Sequence, residues 1–566
     1  MSASLHVRLF DRLKRVGDVP RRRLIQLVAL GVAVAVLLHL GYSTTVYSNT
    51  ATPTTYNEGG HTAHLASSIQ HGHDDLSLDE IRAIVSRTKG FFARDYSLNL
   101  GWNNMKYILE TAINQGTLLN RTVILPSFVY ARACEFPNVA CAAFLPMVNR
   151  GDALNSDEWR KLPMDQQMAW QVPLELMIDL PKVRRHRNVI LVSEYLRLHG
   201  LSPHLEASTG RWLRETYHQG EKPPSLFVIK SNEIDPDGVV LVDTHPVSSE
   251  QNPPQTTVGA QLQKLAKDQN GLDWVSVRKV ISGDKSDEEV EKELLANGWQ
   301  PLYTFHSMVN QELFKAPVFP IKQAVPQHRL RGMVEYYAHV NEDVVLLAGE
   351  THLYRKPGGV RFTSADARDN FARLVLQDMV YRDPLKELAA VLEERMRSKV
   401  GGRMFFSAHM RRGDFTTLHW SLAEGIDLHL KKLKDKFAPA RRLLANVKSR
   451  RMSTYDVPDV QFDDSIMSRD APAVGDPFFL MTDERSPDGV EYLRKRGAVL
   501  VQDLIRPEDR QKFGWPIMYT DILALAEQTL AARSDFFVGQ AFSSVAGGVI
   551  ALRAARGADP QTAVLI

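Results

Sequence analysis

The sequence predicts an α/β protein in which two parallel, doubly wound sheets follow an N-terminal transmembrane helix. The chain has 566 residues, more than the roughly 250–300 that one hydrophobic core normally supports. Apolar runs of strand length alternate with helical patterns, which is typical of parallel sheets covered on both faces. One long stretch near the N-terminus is apolar and uncharged.

This apolar stretch runs from Leu24 to Leu38 and is interrupted only by Gln26. Its length suits one short transmembrane helix, which we place at residues 24–41. Residues 1–23 contain seven lysines and arginines against two aspartates, so the positive-inside rule predicts a cytosolic tail. The rest of the chain is then luminal. A cleaved signal peptide is the alternative that this pattern leaves open.

Residues 42–85 predict a stem between the membrane and the folded part. They are rich in Thr, Ser, Asn and Gly near their start and lack the apolar periodicity of a core. Four histidines occur here, but they lack the patterning of a ligand set, and we assign no metal to them. These are His61, His64, His71 and His73.

Residues 86–380 predict the first lobe. A helical pattern carries Ile108 and Ala112 on one face, and the run Thr122-Val123-Ile124-Leu125 is strand-like and stopped by Pro126. Further apolar runs predict strands that continue the same α/β rhythm. They lie at residues 188–192, 239–242 and 343–347.

Residues 381–566 predict the second lobe, which begins with a charged helix at about 384–399. Strand-like runs follow, and a strongly helical segment at about 519–533 precedes the last of them. These runs lie at residues 404–408, 478–481, 498–501 and 535–538. An insertion at 422–475 carries nine lysines and arginines between Lys431 and Arg451. We interpret them as a solvated helical face, with a docking surface as the alternative.

Polar residues follow three of these predicted strands, where open α/β sheets bind ligands. Arg411 offers a planar fork of donors for phosphate oxygens. Asp483 can accept the paired N–H donors on one edge of guanine. Ser543 and Ser544 open the final helix, whose N-terminus favours phosphate. Each has an ordinary structural explanation alone, but together they predict a site for a nucleoside diphosphate.

The stretch His409-Met410-Arg411-Arg412-Gly413-Asp414-Phe415 resembles the His-x-Arg-Arg-x-Asp motif of a fucosyltransferase superfamily. This superfamily includes protein O-fucosyltransferases, bacterial Nod-factor fucosyltransferases and α1,6-fucosyltransferases. Asp521, followed by residues 537–544, resembles its closing motif. Residues 101–104 and 119–126 resemble the N-terminal signature of the protein O-fucosyltransferases in particular.

The resemblance implies a GT-B fold, GDP-fucose as donor, inversion at the anomeric carbon, and no required metal or other cofactor. It places Arg411 on the diphosphate, His409 and Asp483 on guanine, and Ser543 and Ser544 on phosphate or sugar. From the first lobe, Gly101, Asn103 and Asn104 are implied to face donor and acceptor. With the predicted topology, this implies a type II single-pass enzyme of the Golgi or endoplasmic reticulum membrane that modifies a glycoprotein or glycan.

The general base is open at this stage. The α1,6-linked relatives carry a glutamate about ten positions beyond the motif histidine, and His419 occupies the comparable place here. An imidazole can accept a proton at luminal pH. His419 therefore joins Arg411 and Asn104 as a catalytic candidate, with Glu135 and Glu194 as further possibilities.

Two other functions stay open: transfer of another nucleotide-activated deoxysugar, and a non-catalytic protein that binds GDP-sugar or glycoprotein. A nucleic-acid partner is not expected, because the net charge is only +3 and no nucleic-acid-binding motif is present. Cys134 and Cys141 are the only cysteines. They form a bridge if the domain lies in an oxidising lumen and are two reduced thiols otherwise.

Overall fold

The computed structural model describes residues 76–234, 236, 238–245, 256–266, 271–281, 283–305, 318, 320–349, 361–417 and 420–566. All of them belong to one compact unit, Ala66–Ile566. The predicted cytosolic tail, the anchor at 24–41 and most of the stem lie outside these ranges. Within the ranges, every helix is too short or too polar to cross a membrane.

A five-stranded sheet of parallel strands lies in the first part of the chain. Its middle strand, Phe91–Arg94, is buried throughout and was not predicted. The strands predicted at 122–125, 188–192 and 343–347 are confirmed within one or two residues. In spatial order the sheet consists of Val189–Leu191, Thr122–Leu125, Phe91–Arg94, Val344–Ala348 and Leu226–Lys230.

Helices cover both faces of this first sheet because neighbouring side chains of a strand point to opposite sides. Phe92 faces the helix Trp102–Leu118 and belongs to the large central core. Phe91 belongs to a second cluster, which includes residues of the helices Leu78–Val85 and Val192–Leu198. The doubly wound arrangement predicted from sequence is thus confirmed here.

A second five-stranded sheet, also parallel, lies in the last part of the chain. The predicted strand at 404–408 is shifted, because the structure places it at Phe406–Met410. The final strand, Ala563–Leu565, was not predicted. In spatial order the sheet consists of Ala498–Val499, Phe478–Thr482, Phe406–Met410, Phe536–Gly539 and Ala563–Leu565.

Both faces of the second sheet are covered as well. On one face the helices Ile426–Lys434 and Phe437–Ala445 contribute apolar residues to a core with Phe406. On the other, the helices Asp383–Lys399 and Thr520–Ala532 contribute to the large central core. The stretch interpreted as an insertion therefore contains the helices that connect the parallel strands Phe406–Met410 and Phe478–Thr482. Parallel neighbours need a long crossover connection of this kind.

The basic residues of this crossover lie on its outer side, as we expected of a solvated face. Lys431 and Lys432 are exposed, while Leu430 and Leu433 of the same helix are buried. Lys434 and Arg441 donate hydrogen bonds to backbone carbonyls. The charges thus follow the outer face of amphipathic helices.

Most of the remaining strand structure is antiparallel and was not predicted. The predicted run at 239–242 forms a strand, Val240–Val242, which pairs in parallel with Leu330–Gly332 in a separate two-stranded sheet. The predicted strand is thus confirmed, and its place outside the first sheet could not be predicted, since periodicity identifies a strand but not its partner. The antiparallel strands are Phe128–Ala131, Met147–Asn149, Met168–Pro173, Leu272–Asp273, Trp299–Phe305, Pro320–Pro326 and Arg361–Phe362.

The two parallel sheets share one core. Phe92 and Val345 of the first sheet belong to the same hydrophobic cluster as Phe479 and Phe537 of the second. Further helices connect the strands or cover the sheets. They include Leu180–His186, Thr257–Ala266, Trp274–Val280, Asp287–Ala296, Met333–Tyr337, Ala365–Arg373, Pro487–Lys495, Pro507–Phe513 and Ser544–Ala555.

Candidate functional site

A cavity of about 890 Å³ opens beside the carboxyl ends of the strands of the second sheet. Both parts of the chain line it, with Gly101–Asn104 on one side and residues from Arg411 to Val545 on the other. Ligand sites of open α/β sheets occur at this end of the strands. Its volume lies in the range of small-molecule and cofactor pockets.

Most of the site residues predicted from sequence come together in this cavity. Those that line it are Gly101, Asn103, Asn104, Arg411, Asp483, Ser543 and Ser544. His409 is not among the lining residues, and His419 lies outside the described part of the chain. Of the two further base candidates, Glu135 lines the cavity. Glu194 does not, and its buried carboxylate pairs with Arg184 at 2.6 Å.

Arg411 and Asp483, predicted to hold different parts of a nucleotide, bind each other in this structure. Arg411 Nη1 donates to Asp483 Oδ2 at 2.6 Å, and the Arg412 backbone N–H donates to Asp483 Oδ1 at 2.7 Å. About a quarter of each side chain is exposed, so both face the cavity. Gly413 is required beside this pair, because a Cβ there would collide with the Asp483 carboxylate.

The second arginine of the motif has a structural role. Arg412 Nε donates to Glu484 Oε2 at 3.0 Å, and its Nη2 donates to the Glu424 carbonyl at 3.0 Å. The backbone N–H of Arg411 donates to Gln540 Oε1 at 3.1 Å. These bonds connect the ends of three neighbouring strands, and they fix the backbone from which Arg411 reaches the cavity.

The helix Ser544–Ala555 begins at the cavity with Ser543 in the N-cap position. The Ser543 side chain makes no capping hydrogen bond to the described residues. An uncapped helix start presents backbone N–H groups and the positive end of the helix dipole. Together with the serine hydroxyls, this is a site suited to phosphate.

The first part of the chain contributes the start of the helix Trp102–Leu118, which follows Gly101 as its N-cap. Asn104 Oδ1 is buried and accepts no hydrogen bond from the described residues. Asn103 lies against the helix Ser544–Ala555, because a Cβ on Gly548 would lie 2.5 Å from Asn103 Oδ1. The two asparagines thus stand where both parts of the chain meet.

His409 requires a correction. The prediction ended its strand at Ala408 and left His409 in a loop, whereas the strand continues to Met410 and buries His409. Burial, followed by the positive charges of Arg411 and His429, lowers the pKa of His409 to about 3. The imidazole is therefore neutral near pH 7, and it does not line the cavity.

Cys134 and Cys141 are joined by a disulfide, and their loop joins the two parts of the chain. Cys134 forms a β-bridge with Tyr519, and the Tyr519 hydroxyl donates to the Cys141 carbonyl at 2.7 Å. Inside the loop, Glu135 pairs with Arg510 at 2.7 Å. The disulfide thus fixes one wall of the cavity.

Replacing both Cys134 and Cys141 by serine is expected to lower the free energy of unfolding by about 2–3 kcal/mol, because the closed loop is short. Thermal melts with and without reductant measure this. Reduction of the wild type should reproduce the variant's melting temperature, and the variant itself should not respond. If reductant lowered the melting temperature of the variant as much as that of the wild type, the disulfide would not be the cause of the change.

Sequence reasoning missed Glu527, which also lines the cavity. It is a half-buried carboxyl on the helix Thr520–Ala532. Burial, and then the negative charge of Glu135, raise its pKa to about 8. A signal was present, because Glu527 directly follows the apolar run from Ile522 to Ala526 inside a helical segment.

Among the described residues, no group of three or more His, Cys, Asp or Glu side chains is placed to hold a metal ion. Arg411 and the helix N-terminus at Ser543 are groups that stabilise a diphosphate charge without a metal. The expectation of metal independence stays a prediction.

Comparisons with known proteins give only distant similarity. No family model matches the sequence, and no curated protein matches it. Solved structures that overlap include POFUT1 in complex with GDP-fucose, with a TM-score of 0.32 and 10% identity over 84% of this chain and 98% of that chain. Another is the NodZ α-1,6-fucosyltransferase soaked with GDP-fucose, with a TM-score of 0.29 and 12% identity over 82% and 92%.

Fucosyltransferase NodZ from Bradyrhizobium overlaps with a TM-score of 0.27 and 12% identity over 82% of this chain and 92% of that chain. TM-scores at this level carry no argument about fold or function. The molecule is therefore defined by its own sheets and cavity: an α/β protein with a polar cleft at the ends of parallel strands.

Proposed function

We propose that this protein is an inverting glycosyltransferase that moves fucose from GDP-fucose to a hydroxyl of a glycoprotein or glycan. The observation that supports it best is one cavity lined by Arg411, by Ser543 and Ser544 at a helix N-terminus, and by Asn103 and Asn104. These groups suit a diphosphate and the adjoining sugar. The assignment of the sugar as fucose and of the base as guanine rests on the motif resemblance.

The fold supports the same proposal. Two parallel, doubly wound sheets with a cleft lined from both parts of the chain fit a GT-B enzyme. We retain residues 86–380 as the acceptor-side lobe and 381–566 as the nucleotide-sugar lobe, with the boundary before the helix Asp383–Lys399. A cytosolic tail, an anchor at 24–41 and a luminal Golgi or endoplasmic reticulum location complete the proposal.

In this proposal the bond from fucose C1 to the diphosphate oxygen breaks, and its electron pair stays on GDP. The acceptor oxygen forms a bond to C1 from the opposite face and gives its proton to solvent water. Arg411 and the helix N-terminus at Ser543 stabilise the negative charge that grows on the leaving diphosphate. The Arg411–Asp483 pair has to rearrange or share its hydrogen bonds when the diphosphate enters, since both groups face the cavity.

A panel of nucleotide sugars tests this function. The purified full-length chain in detergent micelles is offered GDP-fucose, other GDP-sugars and UDP-sugars while release of GDP or UDP is followed. We expect GDP-fucose to be turned over, to a similar extent with and without EDTA. Preference for a UDP-sugar would favour the alternative donor. Tight GDP binding without turnover under any acceptor would favour a binding protein.

A further inference from the structure

Glu527 has an unusual position for a carboxyl group. It lies on the helix Thr520–Ala532, two turns in from the cavity end, and its side chain lines the cavity. Among the residues that the structure describes, none forms an ion pair with it or donates a hydrogen bond to it. A half-buried carboxylate without such partners is costly, whereas a neutral carboxylic acid is not.

Among the described residues, no cation forms an ion pair with Glu527, although Arg132, Arg411, Arg485 and Arg494 line the same cavity. Glu135 is the neighbour whose negative charge acts on the Glu527 carboxyl, and Glu135 itself forms an ion pair with Arg510 at 2.7 Å. Asp521 of the same helix accepts the Arg132 backbone N–H at 2.8 Å. Other titratable or charged groups on or next to the elements packed against the helix include Arg132, Glu175, Glu393, Arg395, Arg397, Asp483, Arg533 and Arg553.

Most of these groups are engaged elsewhere, and Arg395 and Arg397 pair with Asp509 and Asp535. Glu393 pairs with Arg533 at 2.6 Å, Asp483 pairs with Arg411, and Arg553 donates to the Ser534 carbonyl. The neutral form of Glu527 is thus favoured in the ligand-free cavity, in agreement with its pKa of about 8. An anionic diphosphate in the same cavity favours that form further, because like charge raises a carboxyl pKa.

We propose that Glu527 is a ligand-contacting residue of the cavity that acts as a neutral carboxylic acid, donating its O–H to an acceptor atom of the bound nucleotide sugar. This proposal rests on the proposed function. A general base has to be a carboxylate before it accepts a proton, and the surroundings of Glu527 oppose that state. A neutral carboxyl instead adds an O–H donor to a cavity whose ligand carries many acceptor oxygens.

Three variants separate these roles. Glu527→Gln keeps the shape and a donor, Glu527→Ala removes both, and Glu508→Gln changes an exposed glutamate on the nearby helix Pro507–Phe513 as a control. Donor kcat/KM is measured from pH 6 to pH 9. At pH 7 we expect Glu527→Gln within about threefold of wild type and Glu527→Ala about tenfold lower, from loss of one buried hydrogen bond.

The pH profile gives a second readout that a purely structural role would not change. Because the protonated form is the active one, wild-type activity should fall as the pH rises through about 8. Glu527→Gln should lack this fall, while Glu508→Gln should keep it. A Glu527→Gln variant as inactive as Glu527→Ala would overturn the proposal in favour of a carboxylate base. Wild-type activity in Glu527→Ala would also overturn it.

An infrared measurement separates failure of this proposal from failure of the proposed function, since it needs no substrate. The difference between wild type and Glu527→Gln at pH 7 should contain the carbonyl band of a protonated carboxylic acid. Absence of that band overturns the neutral form of Glu527. Presence of the band in a protein that turns over no GDP-sugar would support the neutral form and reject the transferase function.

Discussion

Replacing Arg411 by alanine is expected to lower the rate of sugar transfer by about 10²- to 10³-fold, the effect of removing one preorganised donor from a developing negative charge. The side chain reaches the cavity from a backbone that the Arg412 and Gln540 contacts hold in place. GDP binding should weaken less than turnover, because in the proposed reaction the interaction strengthens as the bond to fucose breaks. Calorimetry with GDP and initial rates of GDP release measure the two effects.

Two controls define this result. Arg411→Lys keeps the charge but not the planar fork, and we expect an intermediate rate. Arg496→Ala removes an exposed arginine of the same sheet region and should leave the rate unchanged. Near-normal transfer by an Arg411→Ala variant that still binds GDP would refute the assigned role.

The second large effect concerns Asp535, a buried carboxylate just before the strand Phe536–Gly539. It accepts a hydrogen bond from Arg397 Nη1 at 2.9 Å and one from the Phe405 backbone N–H at 2.9 Å. Asp535→Ala leaves a guanidinium and a buried N–H without this partner. We expect the free energy of unfolding to fall by about 3–5 kcal/mol, measured by denaturant titration.

A matched exposed aspartate serves as the control. Asp383 pairs with Lys386 at 2.8 Å, with 75% of its side chain exposed. Asp383→Ala should cost at most about 1 kcal/mol. If Asp535→Ala and Asp383→Ala lowered the free energy of unfolding equally, the hydrogen bonds of Asp535 would not stabilise the second sheet.

The parallel sheets could be predicted because their strands are buried on both faces and appear as short apolar runs. Thr122–Leu125 and Phe478–Thr482 were found for this reason. The strand Phe91–Arg94 was missed because its arginine interrupts the apolar pattern. That arginine is buried and hydrogen-bonds Gln115 at 3.3 Å. Pairing partners, as for Val240–Val242, depend on contacts distant in sequence.

The site was predictable where residues follow directly after a strand, as Arg411, Asp483 and Ser543 do. A two-residue error in the strand end misplaced His409, because alternate positions of a strand face opposite sides. Glu527 was missed because it lies inside a helix, where no strand-end rule applies. The Arg411–Asp483 pair was missed because each residue was assigned to the ligand, and not to the other.

The shared core has a consequence for how ligands enter. Phe92 and Phe537 belong to one continuous apolar cluster, and the bridge between Cys134 and Tyr519 joins the same parts of the chain. Swinging the two sheets apart would expose that cluster to water at a cost that grows with its area. Entry of a ligand into the cavity then depends on side chains at its rim, such as the half-exposed Trp420 and Phe542. The rate constant of ligand association should therefore depend on how these two side chains move.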